Sequence, residues 1–173
     1  MMEVLTQLTR ATLGNTPRFK LLAGWCGPAR VLDVYDGDTL TAALEYPAGQ
    51  VSAFQVRIAG IDAPELRGNP TPTAGIDARD RLIELLLSRD FEDLRRAQSR
   101  KQVRALFEAT PVIVDLEALG PEKYGRVLSR VFAQSCGKRV DVGEAMRAMG
   151  AAVAYDGGHK SQIVQIGTTD WSP

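Results

Sequence analysis

Two apolar runs that meet across Asp36-Gly37-Asp38 constrain the fold of this chain more than any other feature. Ala29 to Tyr35 is rich in valine and leucine, and Thr39 to Leu44 follows at once. Runs of that length, split by an Asp-Gly-Asp turn, pair as an antiparallel hairpin. Tyr46-Pro47-Ala48-Gly49-Gln50 turns the chain again, and Val51 to Ile61 returns as a third strand. Pro64 cannot donate to a ladder, so that strand has to stop before it. The result is a three-strand meander with acidic residues gathered at one end.

Helical periodicity takes over after the loop at residues 68–73. Ala78, Leu82, Leu85 and Leu86 fall on one helix face, and a second helix runs from about Asp90 to Phe107 with Val103, Leu106 and Phe107 inward. Pro111 to Leu116 and Arg126 to Phe132 read as a fourth and fifth strand. Val142 to Met149 reads as a short helix that stops at Gly150. Five short strands with helices, connected mainly antiparallel, predict an α+β protein: a five-stranded Greek-key barrel of the OB-fold type. At 173 residues one such domain has room for a real core. Residues 28–156 form the barrel domain, with a helical insertion at about 75–109. Residues 1–27, where Leu5, Leu8 and Leu13 suggest a short amphipathic helix, are an N-terminal arm whose role the sequence leaves open, either packing on the domain or binding a partner, and 157–173 are a tail.

The charge balance excludes a global polyanion-binding field, because 21 basic residues face 21 acidic ones. Any nucleic-acid partner must be met by a local patch. Cys26 and Cys136 read as two thiols, not a disulfide framework. No basic region followed by a long apolar run opens the chain, so the expectation is a soluble, intracellular protein without signal peptide or transmembrane segment.

The chemistry lies at the ends of the meander. An Asp-Gly-Asp turn is ordinary by itself, since turn aspartates satisfy local backbone groups. It becomes informative beside Asp62-Ala63-Pro64-Glu65, which closes a strand able to pair with the first hairpin. Asp38, Asp62 and the Ala63 carbonyl would make an oxygen shell suited to Ca²⁺. No Cys/His set for zinc is present, and the lone His159 reads as a surface residue. Arg57, five residues before Asp62, can meet it only if the strand bends near Gly60. It is then either a strand-end ion pair or a guanidinium fork for phosphate. Glu65 could cap the following helix or deprotonate a water. Arg126, entering the fifth strand from Lys123-Tyr124-Gly125, is either a surface charge or a second fork.

From about Ala29 to Asp156 the chain resembles the staphylococcal nuclease (thermonuclease) family. The resemblance rests on Asp36-Gly37-Asp38-Thr39, on Arg57 through Glu65, on Lys123-Tyr124-Gly125-Arg126, and on Val142-Gly143-Glu144-Ala145 leading to Ala151-Ala152-Val153-Ala154-Tyr155. It implies an OB barrel with helices and a Ca²⁺-dependent hydrolase, an endonuclease acting on DNA or RNA to leave 5′-hydroxyl and 3′-phosphate ends. Carried over by motif, Asp38, Asp62 and the Ala63 carbonyl would hold the metal, with Asp36 and Thr39 supporting them. Arg57 and Arg126 would bind the phosphate, and Glu65 would be the general base. The chain departs from the family in having alanine at 63 where threonine is usual, a longer first hairpin, an expanded helical region and no recognisable C-terminal helix.

Lys123, Tyr124 and Tyr155 are further candidates for substrate contact. Arg96, Arg100 and Arg104 recur every fourth residue on the inserted helix, beside Arg95 and Lys101. They make either a solvated face or a strip that follows phosphates. The competing function is a catalytically silent module of the same fold that binds nucleic acid or a protein. A silent copy is expected to lose an arginine, the glutamate or a metal aspartate, and this chain keeps all five. A nucleotide-sugar transferase with an Asp-x-Asp metal site would need an α/β nucleotide fold that the pattern does not contain.

Overall fold

A computed structural model describes residues 2–16, 23–68, 72–88, 99–135 and 137–156. In chain order the elements are α1 (Met2–Arg10), β1 (Cys26–Val34), β2 (Thr39–Glu45), β3 (Val51–Ile58), β4 (Ile61–Asp62), α2 (Thr73–Leu87), α3 (Arg100–Ala109), β5 (Val112–Pro121), β6 (Val127–Ser135), β7 (Lys138–Asp141), α4 (Val142–Ala148) and β8 (Val153–Ala154).

Strands β3, β2, β1, β5 and β6 pair in that order, and β6 returns to β3 in parallel. This closes a five-stranded, OB-fold-like barrel accompanied by four helices among the described residues. Closure removes the free edges that an open sheet would expose. The expected five strands are these five. Beyond them, β7 extends β6 as a hairpin, and β4 pairs with β8.

The third strand is shorter than its apolar run suggested. It ends at Ile58, and the chain turns through Ala59-Gly60 before pairing resumes at Ile61. The second helix, expected from about Asp90, begins instead at Arg100, because Ser99 is extended and caps it; residues 89–98 lie outside the described residues, as do Cys136, His159 and 157–173.

Inside the barrel, Ala29, Val31, Leu40, Leu44, Phe54, Val56, Leu116 and Val131 are buried. Val103 and Phe107 of α3 and Ala78, Leu82 and Leu86 of α2 belong to the same core. This is the inward face that helical spacing predicts. A second cluster, Ala11, Leu32, Ala43 and Ala53, lies beneath the N-terminal arm. The small side chains on β2 and β3 let the arm lie close.

One irregularity in β1 decides what meets the helices. The register with β2 runs Val31↔Ala42 and then Asp33↔Thr41, so Leu32 is an inserted bulge residue. Strict alternation from Val31 would send Asp33 into the core. With the bulge, Val34 joins the core while Leu32 packs in the second cluster and Asp33 receives α3. Arg30, also buried, donates Nη1 to the carbonyls of Leu8 and Thr9, and Nη2 to those of Phe107 (3.3 Å) and Glu108 (3.5 Å). One guanidinium thus satisfies carbonyls at the C-terminal ends of both α1 and α3, groups with no partner inside their own helices. Ser99 and Gln102 form a capping box at the other end of α3.

Candidate active site

The turn between β1 and β2 sets the first carboxylates. Asp36 Oδ1 accepts the Asp38 N–H at 3.1 Å, and the Tyr35 N–H donates to the Thr39 carbonyl at 2.9 Å. Gly37 is required by space: a Cβ there would stand 2.7 Å from the Ala63 Cβ and 2.8 Å from the Ala78 Cβ. The glycine therefore lets the turn, the β4 exit and α2 come together. Ala63 contributes to that packing as well, where a larger side chain would crowd the same junction.

Asp38 is almost wholly buried and fully engaged. Thr39 Oγ1 donates to its Oδ1 and the Ala63 N–H to its Oδ2, each at 2.9 Å, and Arg57 Nη1 pairs with Oδ1. The other terminal nitrogen, Arg57 Nη2, donates to Asp62 Oδ1 at 2.7 Å and to the Ile61 carbonyl at 3.2 Å. The bend expected near Gly60 is present, with φ +78° at that glycine. It brings Arg57 and Asp62 to the same side. Burial alone would lower the Arg57 pKa, but Asp38 and Asp62 outweigh it and hold the guanidinium firmly charged. For Asp36, burial and the nearby Asp38 charge push the carboxyl up to about 6.

The closing pair β3–β6 supplies the second arginine. Its parallel register, Val56↔Val127 and Arg57↔Leu128, carries Arg126 to the end of the barrel where Arg57 stands. Arg126 Nε donates to Glu122 Oε2 at 2.7 Å and Nη1 to Thr39 Oγ1 at 3.5 Å. Lys123–Gly125 forms a single 3-10 turn with Tyr124 left-handed at φ 63°, leaving that ring 90% exposed and 6.0 Å from the Arg126 Cζ. The β4–β8 pair places Tyr155 with its ring centroid 5.8 Å from the Arg57 Cζ.

These groups line one cavity of about 490 Å³ together with the exposed Glu65. Asp36, Asp38, Asp62, Glu65 and Glu122 supply five carboxylates; Arg57, Arg67, Lys123 and Arg126 supply four cations. The structure therefore gathers Asp36, Asp38, Arg57, Asp62, Ala63, Glu65, Lys123, Tyr124, Arg126 and Tyr155 at one mouth, with Thr39 bonded to both Asp38 and Arg126. Three lining residues escaped the sequence reading. Glu122 could have been noticed as an acid four residues before Arg126; Arg67 and Tyr35 carried no signal of their own.

The basic stripe is not gathered there. Arg96 lies outside the described residues, while Arg100 Nε and Arg104 Nε both donate to Asp33 Oδ2 at 3.0 Å.

Among the described residues no cluster of three or more Asp, Glu, His or Cys side chains forms a ready-made metal cage. The donors near Asp38 and Asp62 are oxygen alone, the type a hard dication accepts, and Arg57 now neutralises both carboxylates. Among the described residues no helix is long and apolar enough to cross a membrane. No family model matches the chain, and no curated protein matches it significantly in sequence.

Proposed function

We propose that this protein is a calcium-dependent nuclease of the staphylococcal nuclease type, with the Greek-key connectivity of an OB-fold. It would hydrolyse phosphodiester bonds of DNA or RNA to 5′-hydroxyl and 3′-phosphate ends. The observation that carries this reading is the convergence of Asp38, Asp62, Arg57, Glu65 and Arg126 on one cavity. Its charge balance adds support, because protein groups alone leave more carboxylates than cations in a site meant for a polyanion.

Asp38, Asp62 and the Ala63 carbonyl would hold the ion, and their oxygen-only donors suit Ca²⁺. Bound there, Ca²⁺ would supply positive charge against the phosphoryl oxygens. Arg57 and Arg126 would donate to the non-bridging oxygens as charge builds on them. Glu65 would take a proton from the attacking water. The water oxygen bonds to phosphorus as the bond to the 5′ oxygen breaks, and that oxygen gains a proton from solvent. Tyr124 and Lys123, exposed beside Arg126, would meet the neighbouring nucleotide.

The test is cleavage of single-stranded DNA, duplex DNA and RNA, with Ca²⁺ or with chelator. Glu65→Gln should lose about 10²–10⁴-fold in kcat. Arg57→Ala, checked for folding, should lose on the order of 10²–10³-fold. A folded wild-type protein that cleaves none of these in Ca²⁺ would overturn the nuclease reading in favour of the binding module.

A further inference from the structure

We propose that a single-stranded nucleic acid leaving the cavity continues over Tyr35 onto Arg100 and Arg104 of α3, which form a second phosphate subsite. This rests on the nuclease reading above. Tyr35, at the end of β1, lines the cavity, and the Arg100 Cζ lies 4.8 Å from its ring centroid. The basic helix is therefore continuous with the cavity through one aromatic side chain.

The two arginines are held as a phosphate site needs them held. Each donates its Nε to the same oxygen of Asp33, a side chain only 1% exposed. Two guanidinium charges share one carboxylate, so the cluster stays positive. The Nη donors of both make no hydrogen bond within the described residues, and the two side chains are 48% and 41% exposed. Buttressing through Nε fixes the planes while leaving the outer donors for a bidentate contact. Helix stability does not explain the charges: Arg100 and the exposed Lys101 sit in the first turn of α3, where cations oppose the helix dipole. The ligand is a phosphodiester backbone with a base stacked near Tyr35, chemistry shared by single-stranded DNA and RNA.

The experiment compares a trinucleotide with an oligonucleotide of about 20 residues, as DNA and as RNA, in Ca²⁺ over a salt series. Two variants are used: Lys101→Glu, which leaves both Asp33 pairs in place, and Arg104→Gln, with folding followed by circular dichroism. The ratio of kcat/KM on the long substrate to that on the short one should fall roughly three- to tenfold. The salt slope on the long substrate should drop by about 1. Should Arg104→Gln not fold, Lys101→Glu decides. An unchanged ratio and slope in the folded variants would overturn the subsite while leaving the nuclease intact. Wild-type protein that neither binds nor cleaves either length would instead remove the nuclease reading, and the subsite with it. A fall confined to DNA or to RNA identifies which backbone the surface follows.

Discussion

Arg57 and Asp62 stand five residues apart in the chain, yet Nη2 of one lies 2.7 Å from Oδ1 of the other. An uninterrupted strand would put them on opposite faces. The left-handed turn at Gly60 reverses that relation, and it also presents the Gly60 carbonyl to the Tyr155 N–H at 3.1 Å. A single backbone conformation thus joins the arginine, a carboxylate and the β8 exit.

Gly60 and Gly37 should therefore fail for different reasons. A Cβ at Gly60 meets nothing within 4 Å, so Gly60→Ala carries only the left-handed cost of about 1–2 kcal/mol, and Gly60→Asn should recover part of it. Gly37→Ala should cost about 1–3 kcal/mol through crowding against Ala63 and Ala78, and asparagine there should be worse. Urea denaturation of the four variants separates the two mechanisms; equal rescue by asparagine at both positions would contradict them.

Asp36 should make stability depend on pH in an unusual direction. Its folded pKa of about 6 lies above the ordinary 3.8, first through burial and then through Asp38. The native state then holds more protons between these values, so this contribution to stability falls as pH rises from about 4 to about 6. The full penalty, up to about 3 kcal/mol, applies at pH 7. Asp36→Asn keeps an oxygen for the Asp38 N–H and should raise Tm at pH 7 but not below pH 4. A difference between variant and wild type that is flat across this range would refute the assignment.

Arg30 should matter more than a surface arginine because its guanidinium serves two helix ends at once. Burial lowers its pKa, with Glu108 opposing that effect. Arg30→Met should cost about 2–4 kcal/mol by leaving carbonyls of α1 and α3 without their donor. Amide exchange should accelerate in both helices together; acceleration in only one would show that the shared contact does not couple them.

Glu122 competes with phosphate for Arg126 if the nuclease reading holds. Glu122→Gln retains an oxygen for Arg126 Nε but removes the charge, so KM for nucleic acid should fall about two- to fivefold. A rise in KM would mean that Glu122 orients the arginine and does not restrain it.

Much of the scaffold was legible because burial imposes a period. The hairpin across Asp36-Gly37-Asp38, the inward faces of Ala78, Leu82 and Leu86, and of Val103 and Phe107, all followed from spacing. The bend at Gly60 followed from the conflict between strand alternation and the need for Arg57 to meet Asp62. Asp33 was not legible: it reads as a strand residue of the wrong polarity until the Leu32 bulge turns it toward α3. Arg100 and Arg104 looked equivalent to any solvated helix stripe for the same reason.

By itself the sequence determined most of the local elements, the turn that separates the first two strands and the residue types available for chemistry, since these depend on neighbours within a few positions. Only the tertiary structure decided which ends meet. The parallel β3–β6 closure brought Arg126 beside Arg57, the β4–β8 pair brought Tyr155, and the bulge gave two arginines to one buried carboxylate. Pairing partners and register are settled by how the whole barrel closes and buries its core, a balance spread over many distant residues that no local pattern contains.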